Sequence, residues 1–199
     1  MSSSVLYMSM SLDGFITGPD DKVGQGLGAG GGERLHEWLR ERTDTFPPAA
    51  DPEGESATVH DEQLATGAVV VGRRTYDLAG QWEDHHDRVP MFVPTRGEPP
   101  EPASELVHYV TDGVESAMRQ AKEAAGDANV MVHGADLAQS LLRAGLLDEL
   151  EIHLVPVLLG EGRRLFEHLG GEHVELDLVR VLDAPGVTHL HYRVWRNPS

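Results

Sequence analysis

Two short segments constrain the fold of this chain most. "AVVVG" (Ala68 to Gly72) is a continuous apolar run, and Val130, Met131, Val132 and His133 form another that ends at Gly134. Unbroken apolar runs of this length, bounded by a glycine, read as strands buried on both faces. Each passes directly into helix-like sequence: "RRTYD" after Gly72, and after Gly134 a pattern with Leu137, Leu141, Leu142 and Leu146 on helical spacing. A strand that opens into a helix at one small residue brings unpaired N–H groups and a partial positive charge to the strand's carboxyl end. Such a corner is either a compact packing turn or a seat for an anionic ligand.

The remaining sequence repeats the strand–helix alternation. Val5 to Ser9 reads as a first strand ending at "LDGFI". A glycine-rich loop follows from Gly18 to Gly32, then a helix from Glu33 to Arg42 with Leu35, Trp38 and Leu39 on one face. Residues 43–57 form a second loop, and a short helix covers about His60 to Thr66. Val89 to Thr95 and Leu106 to Val110 are further strands. Asp112 with Glu115 three positions on predicts a capping box for a helix that stops at Gly126. Along "ELEIHLVPVLLG", Leu150, Ile152 and Leu154 alternate with Glu149, Glu151 and His153. "HVELDLVRVL" and "THLHYRVW", joined by "DAPG", predict a closing antiparallel hairpin. These readings give one domain over residues 1–199, an α/β fold with a mainly parallel central sheet covered on both sides.

Composition narrows the function. The chain has 33 acidic residues against 16 Lys and Arg, a formal net charge of −17, which disfavours nucleic acid and anionic membranes as partners. An anionic ligand would need a local gathering of arginines. With no cysteine, disulfides, thiol nucleophiles and Cys-ligated zinc are excluded. The start of the sequence lacks a signal-peptide pattern and no apolar run is long enough to span a bilayer, so a cytoplasmic location is expected. No GxSxG, HExxH or GxxxxGK[ST] motif occurs.

In such sheets ligands sit beyond the carboxyl ends of the strands. Those ends are Asp13-Gly14, Gly72 to Thr75, Thr95-Arg96 and His133 to Leu137. Arg73, Arg74 and Thr75 suit a phosphate clamp, because guanidinium binds phosphate bidentately, and Arg96 at a second strand end suits a 2′-phosphate. Ala135, Asp136 and Leu137 would offer backbone N–H groups to a diphosphate, although Asp136 would also cap the helix and repel phosphate. Asp13 is either a turn residue or a carboxylate that orients substrate or relays a proton. Glu37 and Asp44 are further acidic candidates. His153, His189 and His191 fall on one sheet face, but without a fixed-spacing ligand motif no metal is expected, and His85-His86 read as exposed loop.

With these residues assembled, the sequence resembles the dihydrofolate reductase-like superfamily, and within it the reductase domain of the bifunctional riboflavin biosynthesis enzyme. "MSLDGFI" (Met10 to Ile16), "VVVGRRTYD" (Val69 to Asp77), the block from Val130 to Phe166 and the final "THLHYRVW" carry the likeness. The resemblance implies a three-layer fold with an antiparallel C-terminal strand, and an NADPH-dependent reductase that acts on a small carbonyl, imine or pterin/pyrimidine-like compound, often as a homodimer. It implies that Gly72, Arg73, Arg74, Thr75, Thr95 and Arg96 hold the adenosine 2′-phosphate. His133, Gly134, Ala135, Asp136 and Leu137 would meet the diphosphate, and Leu12, Asp13 and Gly14 would lie beside nicotinamide and substrate, with Asp13 as the catalytic candidate. The family usually has Gly-Gly where this chain has His133-Gly134. The acid on the first helix of dihydrofolate reductase proper has no secure counterpart, which argues against folate, and the deaminase's cysteine zinc site is absent. Two other readings remain: a dimeric ligand-binding protein without turnover, and a flavin oxidoreductase using the loop Gly24 to Gly32.

Overall fold

The computed structural model describes residues 2–39, 54–79, 89–102, 104–171 and 173–195. In chain order the elements are β1 (Ser4–Ser11), β2 (Phe15–Thr17), a 3-10 helix (Gly32–Leu39), α1 (Glu55–Leu64), β3 (Ala68–Val71), α2 (Arg73–Leu78), β4 (Met91–Pro94) and β5 (Val107–Val110). They continue with α3 (Val114–Ala125), β6 (Val130–His133), α4 (Ala135–Arg143), β7 (Glu149–Val155), β8 (Arg163–Arg164), β9 (Leu176–Ala184) and β10 (Val187–Val194).

Eight strands form one sheet in the order β5-β4-β3-β6-β1-β7-β10-β9. Pairing is parallel from β5 through β7, and β10 runs antiparallel to both its neighbours. The hairpin turns at Pro185-Gly186, where Gly186 has φ 79, the value a type II turn requires at that position. The architecture is the α/β, dihydrofolate reductase-like one. Helices cover both faces, as an all-parallel region demands. Leu6, Met8, Val70, Val132, Leu150 and Ile152 pack against α3 and α4 on one side. Val5, Tyr7, Val69, Val71 and Met131 pack with Tyr76 of α2 on the other.

Sheet order explains why β3 and β6 matter. After β3 the chain moves outward through α2 to β4. After β6 it moves the opposite way, through α4 to β7 beyond β1. The two strands lie side by side, so their carboxyl ends form a topological switch point, the place where open α/β sheets leave a crevice.

Several sequence expectations need correction. The capping box on Asp112 does not form: α3 is capped by Gly113 at φ 106, with no side-chain cap hydrogen bond. The described part of the helix predicted from Glu33 to Arg42 is a 3-10 helix, Gly32–Leu39, whose threefold spacing puts Leu35 and Trp38 against Val155 and Val187; residues 40–42 lie outside the described residues. The helix placed at His60 begins earlier, at Glu55, and so takes the end of the second loop. The strand β2, paired with β8, was not predicted. The glycine-rich segment is irregular yet packed: the Gly18 N–H donates to the Leu27 carbonyl at 2.9 Å and the Ala29 N–H to that of Pro19 at 2.7 Å. Gly32 is needed there, because a Cβ at that position would sit 1.8 Å from the Leu27 oxygen. Asp44 and His85-His86 lie outside the described residues.

Candidate functional site at the β3–β6 switch point

The site is built from the two glycine corners. The Gly72 N–H donates to the His133 carbonyl at 3.0 Å, which ties the corners together. Gly134 has φ 104, and a Cβ there would lie 2.5 Å from Thr75 Oγ1. Glycine is therefore required twice over, for backbone conformation and for contact with α2. Gly134 is the N-cap of α4 and no side chain caps the helix, so the expectation that Asp136 is the cap fails. The first-turn amides of α4 keep their hydrogen-bonding capacity. Asp136 is largely exposed and accepts from Arg163 at 3.1 and 3.2 Å, which offsets its repulsion of an anion. Ala135 and Leu137 are buried and fix the corner to the core. The register places His133 beside Val71, on the face that packs with Tyr76 and away from α4.

Thr75 does not cap α2 either; the N-cap is Gly72. Arg73 donates through Nε to both oxygens of Asp77 at 2.9 Å and lies over the Tyr109 ring at 5.3 Å. Arg74 donates to Asp21 at 2.7 Å and is also influenced by the charge of Asp136. Thr95 is buried, with its hydroxyl donated to the Val93 carbonyl at 2.9 Å. Arg96 is exposed and makes no ion pair among the described residues.

Asp13 sits at the end of β1, and its carboxylate accepts from Ser11 Oγ at 2.6 Å, the Leu159 N–H at 3.1 Å and the Gly160 N–H at 2.8 Å. These bonds, the Ser11 hydroxyl first, hold it down to about 2. It is thus a fixed anion that anchors the loop before β8. Leu12 beside it is exposed, and Gly14 has φ 90. Sequence reasoning missed Arg163 and Arg164, the two residues that connect these segments. Arg163 reaches Asp136, while Arg164 donates to the Asp13 carbonyl at 3.0 Å and covers the Phe15 ring at 4.4 Å. Their signal was the doublet in "GEGRRLF", the same kind of basic pair that drew attention to Arg73-Arg74. Glu37 is exposed and ion-paired with Arg34. The loop Gly24 to Gly32 is held by backbone hydrogen bonds within the glycine-rich segment.

A second polar cluster lies under α1. Glu151, His153 and His189 are all buried. Arg180 of β9 donates twice to Glu62 of α1, each at 2.7 Å, and reaches Glu151 at 3.4 Å. Burial raises Glu151 above the usual carboxylate value. Burial, and then the charge of a neighbouring group, holds His153 well below its usual value and His189 down to about 4.

Residues 4–190 match the RibD C-terminal domain family. The chain belongs to that family. This RibD C-terminal domain is similar to further proteins and solved structures over nearly its whole length. It is 27% identical over 193 residues to the uncharacterized protein YwjB of Bacillus subtilis, covering 95% of this chain and 96% of that one. The crystal structure of a putative riboflavin biosynthesis protein from Shewanella sp. PV-4 matches with a TM-score of 0.73 at 21% identity, covering 98% and 99% of the two chains. A pyrimidine reductase-like protein from Corynebacterium diphtheriae matches with a TM-score of 0.60 at 13% identity, covering 98% and 93%. The RibD C-terminal domain is a reductase-type fold, and no helix among its described residues is long and apolar enough to cross a membrane.

Proposed function

We propose that this chain is an NADPH-dependent reductase of a small carbonyl, imine or pterin/pyrimidine-like compound. The observation that carries the reading is the switch-point corner. Gly134, at φ 104, opens α4 with uncapped amides directly beside Thr75, the residue that follows Arg73 and Arg74 in the first turn of α2. A diphosphate at that corner would take the first-turn N–H groups of Gly134 to Leu137, with His133 behind them. Arg73, Arg74, Thr75 and Arg96 would face the adenosine 2′-phosphate, with Thr95 holding the strand end. Leu12 and Gly14 would border the nicotinamide. The cofactor supplies the hydride, and the protein binds, orients and excludes water.

The arginines' existing partners do not forbid this. The pairs Arg73–Asp77 and Arg74–Asp21 have arginine side chains 35% and 46% exposed, and such pairs contribute only about 0–1 kcal/mol. Hydrogen bonds to a charged group contribute about 1.5–3 kcal/mol, so a phosphate can displace the acids. Titration by NADPH fluorescence should therefore give saturable binding with NADPH preferred over NADH. Arg74→Ala and Arg96→Ala should each weaken it about tenfold, close to 1.4 kcal/mol. Equal affinity of parent and variants would refute the assignment.

A second reading, a binding protein of the same fold without turnover, is favoured by Asp13. A carboxylate held near about 2 gives no proton at neutral pH, so Asp13 would position substrate instead of protonating it. Oxidation of NADPH with a panel of acceptors separates the two readings. Asp13→Asn also tests the anchoring role, because an amide nitrogen facing the Gly160 N–H sets donor against donor. A carboxylate with a depressed value stabilises the fold above its unfolded value near 3.8 and loses that contribution as pH falls through about 2. The variant should be less stable at neutral pH by thermal melting, with the gap to the parent closing below pH ~3.

The homodimer expected from the resemblance belongs to the same proposal. Edge strand β9 leaves Leu178, Val179 and Val181 exposed, and an uncovered apolar edge is a pairing surface.

A further inference from the structure

Beneath α1, on the sheet face away from α3 and α4, the structure gathers a donor set that the reductase reading does not use. His153 of β7 and His189 of β10 are directly paired across the antiparallel ladder. Their Nδ1 atoms face each other at 2.9 Å. Glu151 lies two residues before His153 on the same side of β7, and one ligand atom from each of the three residues lies within 4.8 Å of the others. All three are buried. Glu151 Oε2 is shared between His191 Nδ1 at 3.2 Å and Arg180 at 3.4 Å, while Oε1 is buried with no hydrogen-bond partner among the described residues.

We propose that Glu151, His153 and His189 form a binding site for a divalent first-row transition cation, held by the two Nδ1 atoms and a Glu151 carboxylate oxygen. This inference is independent of the NADPH reading. Two imidazoles and one carboxylate are the donor types of such ions, whereas magnesium and calcium take oxygen. The spacing also fits. Metal–nitrogen bonds of about 2.1 Å at right angles separate two nitrogens by about 3.0 Å, so an octahedral ion could take the place of the proton between Nδ1 atoms 2.9 Å apart with little movement. Tetrahedral zinc would need the pair to open by less than about 0.5 Å.

The surroundings favour a ligand-ready state. Ser56 Oγ lies 3.0 Å from His189 Nε2, so a proton on Nε2 donated to Ser56 leaves Nδ1 as a lone-pair donor to whatever faces it, the outer-shell arrangement that orients metal-bound histidines. The ion would replace the proton that now joins the two imidazoles, and His153 would carry its proton on Nε2. It would clip β7 to β10 under α1.

The test uses the full-length chain, stripped with chelator and titrated with Co²⁺ while visible d–d absorption and tryptophan emission are followed. The Trp38 ring lies 4.5 Å from the His153 ring and 4.9 Å from that of His189, centre to centre, so a paramagnetic ion bound there quenches its fluorescence. We expect one equivalent bound, with affinity falling about 100-fold or more in His189→Asn and Glu151→Gln and unchanged in His173→Ala, whose side chain is 86% exposed. If the buried variants fail to fold, Trp38→Phe decides, since the Co²⁺ absorption should persist while the quenching disappears. No stoichiometric binding, binding that survives His189→Asn, or quenching that survives Trp38→Phe would each overturn the site.

Discussion

Gly134→Ala is expected to lower both stability and NADPH affinity more than loss of either Arg74 or Arg96. Two separate effects act at one carbon. An L-residue at φ 104 is strained by about 1–2 kcal/mol, and the new Cβ would sit 2.5 Å from Thr75 Oγ1, so the corner must also shift. Together these should cost about 2–4 kcal/mol, which in a chain of this size is a fall in Tm of roughly 4–16 °C. The shift moves the first turn of α4, whose amides have to point at the diphosphate within a few tenths of an ångström. NADPH affinity should therefore fall about 100-fold, equivalent to about 2.7 kcal/mol. The double variant Gly134→Ala with Thr75→Ala separates the effects. Removing the hydroxyl relieves the closest clash and should restore part of the stability, while the backbone strain remains. Calorimetry and fluorescence titration measure both quantities. A Gly134→Ala protein that is destabilised but binds NADPH as well as the parent would show that the corner is a packing turn and nothing more.

The parts of this architecture visible in the sequence are those set by unbroken burial. Ala68 to Val71 and Val130 to Val132 are wholly buried, and in a two-sided layer that leaves no room for polar interruption, so the runs stand out. The single-glycine corners stand out as well, although only Gly134, at φ 104 and against Thr75, requires the glycine, while Gly72 has ordinary extended geometry at φ -62. Caps were not legible. Asp112, Thr75 and Asp136 each stand where a capping side chain belongs, yet glycines hold those ends, and the choice depends on close approach between elements distant in sequence. The same limit hid Arg163 and Arg164. Their partners, Asp136 and Asp13, lie 27 and 151 positions away, and only the pairing of β8 with β2 brings them together. Alternation along β7 suggested one apolar and one polar face, and the alternation is real. Its polar face is nonetheless buried, because α1 and the 3-10 helix close over it, and periodicity cannot distinguish a solvated face from a covered one.

That covered face supplies the other large effect, expected at Arg180. The guanidinium is the only cation in direct contact with the buried Glu151 apart from what His191 contributes among the described residues, and it also fastens α1 to β9 through two 2.7 Å bonds to Glu62. Arg180→Met keeps much of the side chain's volume and removes the charge. Glu151, 1% exposed, then has to stay ionised without its compensation or take up a proton. Breaking a buried pair from one side typically costs about 3–5 kcal/mol, a fall in Tm of roughly 6–20 °C here. Measured with chelator present, the loss should be much smaller in Glu62→Gln, whose partner keeps Glu151 and whose own carboxylate is 40% exposed. Adding Glu151→Gln to Arg180→Met should recover part of the deficit by removing the stranded charge. Acid should act in the same direction. Burial already raises Glu151, so its ionised form is the unfavourable one in the folded state, and protonation on lowering the pH favours the fold relative to neutral pH. The gap between Arg180→Met and parent should accordingly narrow as pH falls. If the variant melts with the parent at neutral pH, the guanidinium carries no weight there, and the attachment of α1 to the sheet rests on its other contacts, among them those of Val59, Ser56 and Gln63.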